Sequence, residues 1–282
     1  MTQRRGFTLV EVLVALLIMG VVTGAIYKLL NTNQRLAVAQ AEQVTLQSNV
    51  RTGSLIVPNE LRELNTMTLG TGAQNDIIAA TASTIEYRAS RGMGFLCEVP
   101  GANSVKIAQS SWTGSRPPLL ARDDLYLFVD GDKDDDDDDS WLQMDITNVT
   151  TSVCAGGAPG WTLAVAGVPA GVLVNTPVRL FERMRMELGS VGGQWWLQAR
   201  SVTAGEALTP VLGPLTSTGF ALQYFDSTGA TTADLNAVKS IRITVQGLTD
   251  GAVRRGGTAA AATVQDTLTT QVLLRNSVRP KV

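Results

Sequence analysis

Three features of this 282-residue chain carry residue types and spacings that could do chemistry: a glutamate inside an apolar run, Glu11; a single pair of cysteines, Cys97 and Cys154; and the acidic run DGDKDDDDDD from Asp130 to Asp139. Histidine is absent. That removes the Ser-His-Asp and Cys-His nucleophile pairs and every histidine-ligated zinc site, which closes most hydrolase schemes. The cysteines lack a CxxC spacing, so a thiolate metal site is not expected. In an exported protein they would pair, and closing a loop of that length stabilises by about 4 kcal/mol in the chain-entropy model. The alternative is two separately buried thiols. Six consecutive carboxylates repel one another, so the acidic run must be a loop. It is either a solvated tip or, through alternate oxygens of Asp130, Asp132 and Asp134, a seat for a hard cation such as Ca²⁺. Its start resembles a DxDxD calcium loop but lacks the glycine and distal glutamate of an EF-hand. No cofactor is required, and with no nucleophile or substrate pocket legible in the residues, the chain is not expected to be an enzyme.

The element that must position Glu11 is unusual. MTQRRG is followed by FTLVEVLVALLIMGVVTGAIYKLL, a run from Phe7 to Leu30 in which Glu11 and Lys28 are the only charges. As a helix it reaches about 36 Å, enough to cross about 30 Å of hydrocarbon. Arg4 and Arg5 precede it, which sets the N-terminus in the cytoplasm and the remainder outside. Lys28 lies near the far end, where its stem can snorkel to the interface. The run is too long for the apolar region of an ordinary secretory signal. A plain uncleaved anchor fits the length and charge but gives no reason for a carboxylate five positions into the span, where an unpaired charge costs a few kcal/mol.

Gly6-Phe7-Thr8-Leu9-Val10-Glu11 resembles the type IV prepilin signature, in which cleavage follows the glycine and a glutamate stands at the fifth mature position. The resemblance implies that Gly6 is the scissile residue, that Phe7 carries the N-methylated amine, and that Glu11 meets a positive N-terminus during assembly and so sets register. The physics agrees, since a charge pair in low dielectric attracts at close range while a lone carboxylate is penalised. The implied partners are a prepilin peptidase with N-methyltransferase activity, other pilins or pseudopilins, and an inner-membrane assembly platform. The implied location is the inner membrane, single-pass with the head outside, and then a pilus or pseudopilus.

Beyond the span the composition, 44% hydrophobic and 17% charged, suits one anchored globular body rather than a disordered or multi-span chain. The formal net charge of −2, lowered by two more on loss of Arg4 and Arg5, gives no sign of nucleic-acid binding. Leu36, Val50, Val57, Leu61 and Leu64 recur at helical spacing, with Pro58 expected to kink or interrupt the helix and Gly53 to weaken it. From Thr66 the runs STIEYRA, GFLCEV, SVKIAQ, DLYLFVD, PVRLFERMRMEL, QWWLQARS, FALQYF and SIRITVQGL read as strands. MRMELGSVGGQWWLQARS reads as a hairpin turning at its glycines. Trp195 and Trp196 adjoin in a strand, so one should face the core and the other the opposite face; both are read as packing residues, with a binding surface as the alternative. TAAAATVQDTLTT permits a strand through Val264, Leu268 and Leu273. The expected fold is α+β and pilin-like: leader 1–6, membrane helix 7–30, amphipathic helical spine 31–65, and a β-rich head 66–282. FALQYFDSTGATT, NAVKSIRITVQGL and TLTTQVLLRN, with NVRTGSLIVPNELREL upstream, resemble larger minor pilins of the PilW-like group and pseudopilins of the J type. The resemblance implies a structural subunit of a type IV pilus-like fibre, with a type II secretion pseudopilin or a calcium-dependent adhesive tip module as alternatives.

Overall fold

The computed structural model describes residues 8–66, 75–130, 140–253 and 260–275. Among these residues one long helix precedes twelve strands. Helix α1, Leu9–Arg62, is 54 residues long and unbroken. Its first 22 residues, Leu9 to Leu30, are exposed at every position. Burial starts at Leu46 and continues through Val50, Gly53, Ser54, Val57 and Leu61, steps of three and four that line one helix face. Leu36, expected on that face as a packing residue, is 53% exposed. Pro58 does not interrupt the helix, which runs on to Arg62. Val57 and Leu61, 1% and 0% exposed, flank the proline, and burying two such side chains is worth about 1.5–3 kcal/mol each, enough to offset about 3 kcal/mol for an interior proline. Gly53 is a contact point rather than a weak one. A Cβ there would collide with Leu212 Cδ2 of the sheet.

The strands are β1 Ile77–Ala80, β2 Thr84–Gly101, β3 Ser104–Ala108, β4 Thr113–Gly114, β5 Asp124–Val129, β6 Ser140–Val153, β7 Pro159–Val165, β8 Pro177–Val191, β9 Gln194–Ser201, β10 Thr209–Phe225, β11 Ser240–Leu248 and β12 Gln265–Leu273. All pairings are antiparallel. STIEYRA and GFLCEV, expected as two strands, form the single 18-residue β2. Strands β2 and β8 pair from Thr84↔Glu187 to Phe95↔Pro177, with one slip between Ser90 and Gly92.

These two long strands belong to two lobes. Their first and last halves respectively lie in an open sheet of order β1-β2-β8-β9-β10-β11-β12, and α1 covers the β10–β12 end. Its core joins Val57, Leu61 and Leu64 to Ile85, Tyr87, Phe220, Ile241 and Val245. The other halves enter a ring: β2 pairs β3, β3 pairs β7, β7 pairs β6, β6 pairs β5, β5 pairs β8, and β8 returns to β2. A six-stranded closed barrel results, filled by Leu96, Ile107, Leu125, Leu127, Leu163 and Leu180.

The direction of the head follows from its contacts with α1. A Cβ on Gly247 would touch Leu46 and Val50 at 2.6 Å, while the Thr66 hydroxyl donates to the Val238 carbonyl; β11 therefore runs back toward the N-terminal half of the helix. The β8–β9 hairpin turns through Gly192 and Gly193, both with positive φ, between paired Val191 and Gln194. Its tip lies level with Glu42, since Gln194 donates to Asp250 and the Asp250 N–H donates to Glu42. The barrel end of β8 is about 46 Å further along the strand, beyond the end of the helix. Neither Trp195, 37% exposed, nor Trp196 is a core residue. The expected inward tryptophan instead covers Gly213, where a Cβ would meet Trp196 at 2.7 Å.

Candidate functional site

Helix α1 begins at a capping box. Thr8 is the N-cap, its hydroxyl accepts from the Glu11 N–H at 3.3 Å, and both the Thr8 N–H and hydroxyl donate to Glu11 Oε2 at 2.9 Å. Glu11 thus closes the first turn of its own helix, satisfying donors that every helix N-terminus leaves open. The pattern Thr8-x-x-Glu11 carried this signal in the sequence beside the assembly signature. Gly6 and Phe7 lie outside the described residues. From Leu9 to Leu30 the helix is about 33 Å long, carries Glu11 and Lys28 as its only charges, and is exposed at every position. By length and composition it can cross a membrane.

Cys97 and Cys154 form a disulfide with Cα atoms 5.8 Å apart. Cys97 lies in β2 and Cys154 just past β6, so the bond fastens the β6–β7 turn across the barrel wall to β2. Glu98 reinforces it, accepting from Lys106 Nζ at 2.8 Å and from the Ala155 N–H at 3.1 Å. The Lys106 hydrogen bond, opposed by slight burial, holds the Glu98 carboxyl below its ordinary range. Asp130 follows β5 at the barrel end, beside a cavity of about 290 Å³ lined by Phe128, Leu173 and Val174. Asp132 and Asp134 lie outside the described residues. Among the described residues no group of three histidine, cysteine, aspartate or glutamate side chains is placed to hold a metal.

Two ionic clusters that the sequence reading missed fix the head on its helix. Glu182 of β8, its side chain 3% exposed, receives Arg91 at 2.8 Å, Arg122 at 2.9 Å and Arg116 at 3.2 Å. Arg91 also reaches Glu60 of α1 at 3.5 Å, Arg116 pairs with buried Asp123, and Arg122 with Glu206. Burial raises the Glu182 pKa, but hydrogen bonds from Ser201 and Arg91 and the cations around it outweigh that and lower it. Asp76, 1% exposed, accepts from the Asn65 N–H just past α1 and from Arg179 of β8, both at 2.8 Å. The only signal for either cluster was alternating charge in PVRLFERMRMEL, and it did not say which strands would face it. Asp124, which opposes Asp145 across β5 and β6, is pushed up to about 6 by burial and by the Asp145 charge.

No curated protein and no solved structure matches the chain. Residues 1–27 match the family model described as the prokaryotic N-terminal methylation motif, which supports a type IV prepilin-like N-terminus on a membrane-anchored α+β protein.

Proposed function

We propose that this protein is a minor pilin: a prepilin peptidase cleaves it between Gly6 and Phe7, Phe7 is N-methylated, and α1 then packs with other pilins, delivered by an inner-membrane platform, into a type IV pilus-like fibre. The observation that carries the proposal is a methylation motif over residues 1–27 leading into a 54-residue helix whose first 22 residues are exposed at every position. A face that long and apolar needs lipid first and other subunits later. The protein acts as a structural subunit and not as an enzyme. Glu11 sets register: both Thr8 bonds land on Oε2, and the carboxylate belongs to the fourth residue after the one whose amine cleavage would free.

The capping box supplies the test. A glutamine at the third helical position can still close the box, so Glu11→Gln keeps the cap and removes only the charge. The variant is expected in membranes at the wild-type level but several-fold depleted from sheared fibres. Equal incorporation would remove the registering role. Mass spectrometry of the N-terminal peptide should show methylated Phe7, and an intact Met1 leader in cells that make the peptidase would overturn the processing. A type II secretion pseudopilin has the same physical requirements, and a deletion strain separates the two, losing fibres in one case and secreted enzymes in the other.

A further inference from the structure

Where α1 leaves the apolar span, a groove of about 370 Å³ separates it from the β11–β12 connection. Asn31, Gln34 and Arg35 form one wall, and Val253 and Ala261 belong to the other. Its height can be read from the helix rise. If the hydrocarbon ends at Leu30, Asn31, Gln34 and Arg35 lie about 2, 6 and 8 Å beyond it, within the polar layer of about 5–8 Å that each leaflet adds to the hydrocarbon. Lys28 and Arg35 are seven residues apart and therefore share a helix face. Neither takes part in an ion pair among the described residues. The next acid on that face, Glu42, is a further heptad out and accepts from the Asp250 N–H.

We propose that this groove holds one anionic phospholipid, its phosphate on Arg35 with Lys28 snorkelling up from below, and its glycerol oxygens on the Asn31 and Gln34 amides. Arg35 at phosphate depth and Lys28 about 3 Å below the hydrocarbon edge, neither in an ion pair among the described residues, beside amide donors and walled by small apolar residues, make a site for a headgroup rather than for a free solute. The site rests on α1 spanning a membrane and is independent of the machine the protein serves. Before assembly the bound lipid would seat the head on the bilayer at a fixed height.

The full chain, purified in detergent, is titrated with phosphatidylglycerol and separately with phosphatidylcholine, and retained lipid is counted by native mass spectrometry. One phosphatidylglycerol is expected to bind saturably. Arg35→Gln should weaken it about fivefold, the worth of one basic side chain at a membrane surface, and Ala261→Phe should do so by filling the groove. Both variants should float with liposomes as wild type does. Non-saturating adducts unchanged in the variants, or equal retention of phosphatidylcholine, would mean lipid collected by the span alone and would overturn the site. Full displacement by millimolar inorganic phosphate would show a free-anion site instead. Failure of the wild-type chain to float would overturn the membrane anchor itself, and the site with it.

Discussion

The open sheet leaves one face bare and buries it under α1, whereas the barrel returns on itself and meets no part of the helix in its core. Both are built on β2 and β8. The open lobe exists only while Leu46, Val50, Val57 and Leu61 lie on it, so its stability is bound to the spine that anchors the chain. The barrel closes its ring of pairings through β2 and β6, each of which pairs with one neighbour along one half and with another along the other half, and a disulfide fastens it, so it can bear load or contact at the far end without relying on the helix. One lobe couples the head to the anchor; the other is an independently closed module carried beyond it.

The largest effect that could break this contrast is loss of the disulfide. Cys97→Ala with Cys154→Ala should lower barrel stability by about 4 kcal/mol, from the loop entropy of a 57-residue separation. In hydrogen exchange the loss should fall on β3, β6 and β7 and spare β10–β12. Equal loss in both lobes would show a single cooperative unit. Leu61→Ala is the mirror experiment: a 0% exposed leucine becomes a cavity at a cost of about 3 kcal/mol, with exchange rising in β10–β12 while β3, β6 and β7 stay protected.

Glu182→Ala tests the seam. Its arginines keep Asp123, Glu206 and Glu60 and are partly solvated, so the expected destabilisation is about 2 kcal/mol, below that of a fully buried pair. Protection should fall on both sides of β8, and a loss confined to one lobe would remove Glu182 as their link.

The smallest effect concerns pH. Asp124 has a folded pKa raised to about 6 from 3.8 by burial first and Asp145 second, against the opposing charges of Arg183 and Arg88. The folded state therefore binds this proton more tightly than the unfolded chain. That stabilisation is complete below about pH 4 and is lost as pH rises through 6. Asp124→Asn should be more stable than wild type at pH 7.5 by about 1 kcal/mol, after allowance for solvent screening, and no more stable at pH 4. Parallel denaturation midpoints across that window would rule out the titration.

The features legible in the residues were those whose causes are local. The membrane span is contiguous, so its length and charges speak without tertiary context. The Gly192–Gly193 turn, the runs that became β8, β9 and β11, and the Thr8-x-x-Glu11 cap depend on neighbours a few positions away. Four strands escaped notice: β1 and β4 are only four and two residues long, and β6 and β7 carry outward threonines, asparagine and a leading Pro159-Gly160 that blur the alternation. The rest was decided by pairings between distant segments. Whether β2 would be one strand or two, whether Pro58 would end the helix, which side of Trp195 and Trp196 would be covered, and which carboxylate three arginines would surround all depend on surfaces that exist only once the sheet has formed. Barrel closure is the clearest case. Strands β2, β3, β5 and β8 read alone as ordinary strands and β6 and β7 do not, and only the return of β8 to β2, with partners 82 (Phe95 to Pro177) to 103 (Thr84 to Glu187) residues apart in the chain, turns the six into a ring with an interior.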